Sequence, residues 1–444
     1  MEPTRQLANF VAQTGFEQIP PEVVRETKRC VLNYLGTALG ASQHKAVRLL
    51  AQAVQEMGGH PQATILGSHA KSSVQQAAMV NGAMSHLMDF DDTHLATVIH
   101  PTGPVMSAAL PLVEWKGLDG KDLIASLALG MEVELRVGTA VYPAHYDAGW
   151  HITGTVGTFG AAVAAGWLLR LDAERHAHAL GLAGTQAAGL REMFGSMAKS
   201  LHVGKAASNG LLAALLAEKG FTASTEVLEG GRGFCHVTAE QYDLSKALRG
   251  LGEEYLMLEN GFKPYACGVV THPTIDGVRR LRGQHTLEPS QIAEVETRVH
   301  PLVLELTGKK EPRTGLEGKF SIYFCAAIAL IEGTAREAQF TDEKVNRADV
   351  VTLRNRVRAV AEPGLGEGQA VVKIRTTDGR ELVERVNAAS GTPGNPMPDE
   401  DLVAKFMELT LPVLPKERAE RIVEEVDRLE KLDGVSRIIE LATP

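Results

Sequence analysis

The sequence predicts a mainly α protein with a smaller α+β domain: a large all-helical domain, completed by the C-terminal helices, and an inserted α+β domain. Three observations predict it. Through the first 260 residues, apolar side chains recur at helical spacing in one run after another. After about residue 265, separate stretches alternate apolar and polar residues as half-buried strands do. Beyond a loop rich in glycine and proline at 391–402, polar amphipathic helices run to the end. The expected bounds are 1–265 and 396–444 for the helical domain and 266–395 for the α+β domain.

Taken in order, 43–57 places Val47, Leu50, Ala51, Val54 and Met57 on one helix face. Alanine- and leucine-rich runs predict further helices at 22–41, 75–88, 104–114, 121–138, 155–169, 174–189 and 205–219. Their Ala-Ala and Gly-Ala-Ala steps, with only 5% aromatic residues, suit close helix packing. Glu294–His300 reads as a strand. Two alternating runs over 369–386 flank Asp378-Gly379, a dipeptide suited to a type I′ hairpin turn. Between them, 322–333 and 348–358 read mainly as helix.

At 444 residues the chain is long enough for two or three domains, and 44% hydrophobic with 22% charged residues excludes a mostly disordered protein. A net charge of −9 gives no reason to expect nucleic acid or an anionic membrane as partner. Cys30, Cys235, Cys267 and Cys325 form no CxxC pair, which excludes a zinc ribbon or a conventional iron–sulfur ligand run. The opening MEPTRQLANFVAQTGF lacks the plan of a secretory signal, and the most apolar stretch, 157–169, is too short to span a bilayer. A cytoplasmic protein is expected.

The densest polar cluster is Ser85–His100, with three aspartates, three histidines and two threonines in sixteen residues. One reading is a solvated acidic loop. Another is an aspartate-rich magnesium site at Asp89, Asp91 and Asp92, which would need a second acidic cluster across its cavity. None is evident in the helical half. His151 precedes Gly154, Gly157 and Gly160, a GxxGxxG run with no strand before it, so a dinucleotide site is not expected. Lys199 and His202, three apart, share a helix face. Lys263 and His272 fall where the texture changes, at an expected interdomain cleft.

These motifs together resemble the MmgE/PrpD family over nearly the whole chain. The resemblance rests on SHLMDFDDTH…HP at 85–101, GWHITGTVGTFGAA at 149–162, FGSMAKSLHVGKAASNG at 194–210, FKPYACGVVTH at 262–272 and GKFSIYF at 318–324, in that order. It implies an enzyme that dehydrates, decarboxylates or epimerises small di- and tricarboxylic acids with neither metal nor organic cofactor. It also implies a homodimer with its active site between the domains.

Carried over, the catalytic positions are Asp89, Thr93, His100, His151, Lys199, Lys263 and His272, with Lys199, Lys263, His202 and Tyr323 binding substrate. Two positions depart from the decarboxylase pattern. Phe324 replaces a tyrosine, with Tyr323 one residue earlier, and Gly268 replaces a histidine or cysteine, with Cys267 one residue earlier.

The chemistry expected is removal of a proton beside a carboxylate. Lys199 and Lys263 would meet the developing charge. His100, His151 and His272 would move protons, and Asp89 with Thr93 would orient them. A cofactor-independent hydro-lyase on a citrate-like acid is the first reading. A dicarboxylate epimerase or an aconitate-type decarboxylase is the alternative. A non-catalytic carboxylate-binding protein is the reading from a different class, and so many protonatable groups together argue against it.

Overall fold

A computed structural model describes residues 2–444. The principal helices of the first part are α1 (Pro3–Gln13), α2 (Pro21–Ala41), α3 (Lys45–Met57), α4 (Val74–His86), α5 (Thr102–Lys116), α6 (Gly120–Val141), α7 (Ile152–Leu168), α8 (Ala173–Gly184) and α9 (Ala198–Glu218). Helix α7 is the centre: every residue but Trp167 is buried, and α5, α6, α8 and α9 pack around it. Such burial requires small side chains, which the sequence supplies as Gly154, Gly157, Gly160 and a run of alanines.

Helices α4 and α9 cross at Gly82 and Gly204. A Cβ on Gly82 would lie 2.8 Å from the Gly204 Cα, and one on Gly204 would collide with the Met79 carbonyl oxygen. This crossing sets where Lys199 and His202, one turn earlier on α9, stand relative to the end of α4. Gly204→Ala is therefore expected to cost about 1–3 kcal/mol by overpacking, read as a lower urea midpoint at unchanged slope.

Two short strands, β1 (Thr93–His94) and β2 (Asn260–Gly261), pair antiparallel with Thr93 opposite Gly261. They tie the loop after α4 to the segment that carries Lys263. Next come α10 (His272–His285), β3 (Ile292–Val299), α11 (Ile322–Glu332), α12 (Ala348–Arg354), β4 (Val357–Ala361), β5 (Ala370–Thr376) and β6 (Glu381–Val386). The sheet order is β4-β3-β5-β6, with β3 and β4 parallel and the other pairs antiparallel, and α10 packs on β5, β6 and α11.

Two local expectations change. The helix expected over 348–358 stops at Arg354, because Val357–Ala361 joins the sheet as a parallel edge strand beside β3. The hairpin keeps its place, but its connection is not a two-residue type I′ turn. Gly379 has φ +89° while Asp378 does not enter the left-handed region, and Thr376 N–H bonds the Arg380 carbonyl at 3.0 Å. The loop is one residue longer, with glycine at its left-handed position.

At the end of the chain, α13 (Asp399–Thr410) and α14 (Lys416–Asp427) return to pack on α2. Phe406 and Leu409 sit against Gly36 and Gly40 there. Among the described residues, no helix is long and apolar enough to cross a membrane.

Candidate active site

The loop between α4 and α5 is buried rather than solvated. Asp89, Asp91, Asp92, Thr93 and His100 are all under 10% exposed. Asp89 has φ +50°, a conformation that costs a non-glycine residue free energy and persists only where its surroundings enforce it. The surroundings here are ammonium groups from three distant parts of the chain. Lys319 Nζ donates to the Met88 carbonyl at 2.7 Å, Lys263 Nζ to the Asp89 carbonyl at 3.0 Å, and Lys405 Nζ, from α13, to the Phe90 carbonyl at 2.6 Å.

The Asp89 carboxylate then lies between two ammonium groups, with Oδ1 2.6 Å from Lys199 Nζ and 3.2 Å from Lys263 Nζ. Burial alone would raise this carboxyl, but the two lysines outweigh it and hold it well below the usual range. Burial and the neighbouring Lys263 charge lower Lys199 in turn. Lys199 Nζ also lies 5.1 Å from the ring centres of both Phe194 and Phe320.

His100 sits across from the lysines. Its Nδ1 lies 2.9 Å from the Asp92 carbonyl oxygen and 3.0 Å from Thr93 Oγ1. A carbonyl only accepts, so Nδ1 carries the hydrogen and Nε2 keeps its lone pair. Burial pushes this imidazole down to about 3 despite the opposing pull of Asp91, so it is neutral near pH 7. His86 Nδ1 donates to Asp91 Oδ2 at 2.6 Å, and its ring tilts against that of His100 at 4.7 Å.

His151 caps α7 and meets His202 of α9, Nδ1 to Nδ1 at 2.9 Å. Burial, then the charge of Lys199, holds His151 well below the usual histidine range. Burial pushes His202 down to about 4.

Asp89, Thr93, His100, His151, Lys199 and Lys263 line one cavity of about 40 Å³, with Tyr146, Phe194, Phe320, Gly268 and apolar neighbours. Six of the seven expected catalytic residues thus converge. His202, expected to bind substrate, does not line the cavity and touches His151, which does. His272 does not line it: it starts α10 behind the KPY segment, with its ring edge-on to Tyr265 at 5.2 Å. Tyr323 lies half-buried in the first turn of α11, beside a small apolar cluster around Val299 and Val303. Gly268 faces the cavity, whereas Cys267 points to Thr271 Oγ1 at 3.2 Å, and Phe324 packs on Phe340. Neither Cys267 nor Phe324 therefore stands in for the missing histidine or tyrosine, and the phenol that the cavity does hold is that of Tyr146.

Sequence reasoning did not single out Lys405, Lys319 or His86. For Lys405 a signal existed, since it stands between Leu402 and Phe406 and Leu409 on an otherwise apolar helix face. His86, Asp89, Asp91 and His100 each bring one donor atom within 4.8 Å of the others. A divalent cation there would face the ammonium groups of Lys199 and Lys263, and Asp89 is the only acidic residue lining the cavity.

Behind the site, both carboxyl oxygens of Glu134 on α6 lack a hydrogen-bond partner, and burial, then the nearby Asp92, raises this acid well above the usual glutamate value of 4.5. Above about pH 4.5 the folded protein keeps a proton that the unfolded chain releases, so stability falls as pH rises. Glu134→Gln is expected to remove that slope and to stabilise more at about pH 8 than at about pH 5. Urea midpoints at the two pH values check it.

Residues 5–247 match the MmgE/PrpD N-terminal domain and residues 265–431 the MmgE/PrpD C-terminal domain. Cis-aconitate decarboxylase of Aspergillus terreus is 26% identical, covering 99% of this chain and 95% of that protein. Those of Mus musculus and Homo sapiens are each 26% identical, covering 99% and 98% of this chain and 93% of theirs. With both family domains matched in order and the family's motif residues gathered in one buried cavity, the chain belongs to the MmgE/PrpD family and is an enzyme of that type.

Proposed function

We propose that this enzyme is a lyase of the hydro-lyase type. It acts without a cofactor on a small citrate-like di- or tricarboxylic acid. The observation that carries the reading is the state of His100. Its Nδ1–H is committed to a backbone carbonyl, and its lone pair is left on Nε2 in a cavity that also holds two lysines. That is a proton acceptor facing cations.

The substrate carboxylate binds at Lys199 and Lys263. His100 Nε2 takes the proton from the adjacent carbon, and the C–H electron pair spreads into that carboxylate, where the ammonium groups stabilise the added charge. The β-hydroxyl then leaves with a proton from Lys199 as water, the C–O bond breaks and the C=C bond forms. The His100 imidazolium formed on the way stands 3.6 Å from Asp91 Oδ1, which stabilises it.

A cavity of about 40 Å³ holds a few waters but not such an acid. The cavity must widen to admit it, and Phe194 and Phe320, whose ring centres stand 5.7 Å apart beside Lys199, are part of its wall.

Decarboxylation is the second reading, favoured by the cis-aconitate decarboxylases that match almost end to end. There a C–C bond breaks, CO2 leaves and the electron pair left on carbon takes a proton, so a donor is needed where His100 offers an acceptor. Epimerisation would need a donor on the opposite face of the same carbon.

A proton NMR time course in D2O with a panel of hydroxy-, amino- and unsaturated di- and tricarboxylates tests the reading. New vinylic signals from a saturated hydroxy acid, with carbon count unchanged, support it. Deuterium exchange without a new skeleton means epimerase, and a product one carbon shorter means decarboxylase.

A further inference from the structure

We infer that Asp92, clamped by Thr102 and Asn260, is the positioning residue that holds His100 in its proton-accepting tautomer. The inference rests on the reading of His100 given above and names what maintains it.

Two groups are within hydrogen-bond reach of His100 Nδ1, with Asp91 Oδ1 beyond them at 3.6 Å, and the two differ in what they decide. The Thr93 hydroxyl donates or accepts equally well, so alone it leaves both tautomers open. The Asp92 carbonyl accepts only, and it is therefore the group that fixes the hydrogen on Nδ1. Its direction depends on the Asp92–Thr93 peptide, which is held from both sides. On one side Thr93 is in β1, paired to Gly261 of β2.

On the other side the Asp92 side chain is pinned. Asp92 Oδ2 accepts from Thr102 Oγ1, the first residue of α5, at 2.6 Å and from Asn260 Nδ2, in β2, at 2.5 Å. Asp92, Thr102 and Asn260 are all buried, and none of them lines the cavity. Their place is behind the imidazole, on three separate elements. The His100 main chain is held too, its N–H donating to Thr153 Oγ1 of α7 at 3.1 Å. With the ring anchored and its Nδ1 partner fixed, Nε2 is the nitrogen left for substrate.

Loss of one clamp donor leaves Asp92 Oδ2 with a single partner and lets the peptide turn. Nδ1 then keeps the ambivalent Thr93 hydroxyl as its one hydrogen-bond partner, with Asp91 Oδ1 at 3.6 Å out of bonding reach, and the Nε2–H tautomer, which cannot accept a proton from substrate, becomes populated. Outer partners of metal-bound histidines give the scale for such losses, about 10–100-fold in activity.

The test is nitrogen-15 NMR of the full-length protein labelled at histidine, with His100→Gln to assign the signal. It is read without substrate, beside kcat and KM. In the wild type His100 is expected with hydrogen on Nδ1. Thr102→Val and Asn260→Ser, each removing one donor from a different element, are expected to mix the tautomers. They should lower kcat by about 10–100-fold with KM nearly unchanged. Thr102→Ser restores the hydroxyl and is expected to recover both the tautomer and kcat.

Hydrogen on Nε2 in the wild type would overturn the inference, as would an unchanged tautomer in both variants, whatever their activity. Normal kcat in a variant with a mixed tautomer would overturn it as well. Full turnover in His100→Gln would instead overturn the reading of His100, while the spectra still judge the clamp.

Discussion

His100→Gln is expected to lower kcat by about 10²–10⁴-fold, the usual worth of a positioned general base, with little change in thermal stability. Glutamine can still donate an amide N–H to the Asp92 carbonyl, so the local hydrogen bond survives while the base is lost. The pH profile sharpens the expectation. An imidazole held at about 3 in the empty site is already unprotonated through the neutral range. The sign therefore runs one way: as pH falls from about 7 to about 5, His100 of the free enzyme stays basic, whereas an ordinary histidine near 6.5 would be lost. The acid limb of kcat/KM is expected below that of a solvent-exposed histidine. Turnover by His100→Gln equal to that of wild type would remove His100 from the reaction.

Lys199→Met is the second large effect, and it acts on two quantities at once. It removes a cation from the site of developing charge, worth about 10²–10³-fold in kcat for one such donor. It also leaves the buried Asp89 carboxylate with Lys263 alone, and breaking a buried pair costs about 3–5 kcal/mol where no other partner remains. Lys263, 3.2 Å away, keeps the stability loss toward the lower end. Adding Asp89→Asn is expected to recover much of that stability, because the unpaired charge is gone, and none of the activity. Urea unfolding and kcat/KM on the two single variants and the double variant separate the effects. Turnover by Lys199→Met within about threefold of wild type would contradict the role assigned to this ammonium.

The helices were readable because their pattern is local. Val47 through Met57, or the alanine steps of 155–169, carry the period that packing exploits. Val357–Ala361 was hidden because an edge strand beside β3 depends on a partner some sixty residues earlier. The candidate site was legible as a set of residue types, and the family resemblance put six of them in order. Its burial was not legible, since a loop with three aspartates reads as solvated. What keeps it dry are lysines 110, 174, 231 and 315 positions away from the atoms they bond, a separation no local pattern reports. His272 and Tyr323 show the opposite limit. Each falls in a motif that carries the resemblance, one with Gly268 and the other with Phe324 at the departing position, yet neither side chain lines the cavity.

On the reading proposed above, this enzyme removes a proton from carbon and expels water with every carbon retained. The most direct test is the carbon-13 balance of the reaction, on a carboxyl-labelled citrate-like acid that the enzyme turns over. All label is expected in an unsaturated acid of the same carbon count. Labelled bicarbonate, together with a shorter acid carrying one proton from solvent, would contradict it.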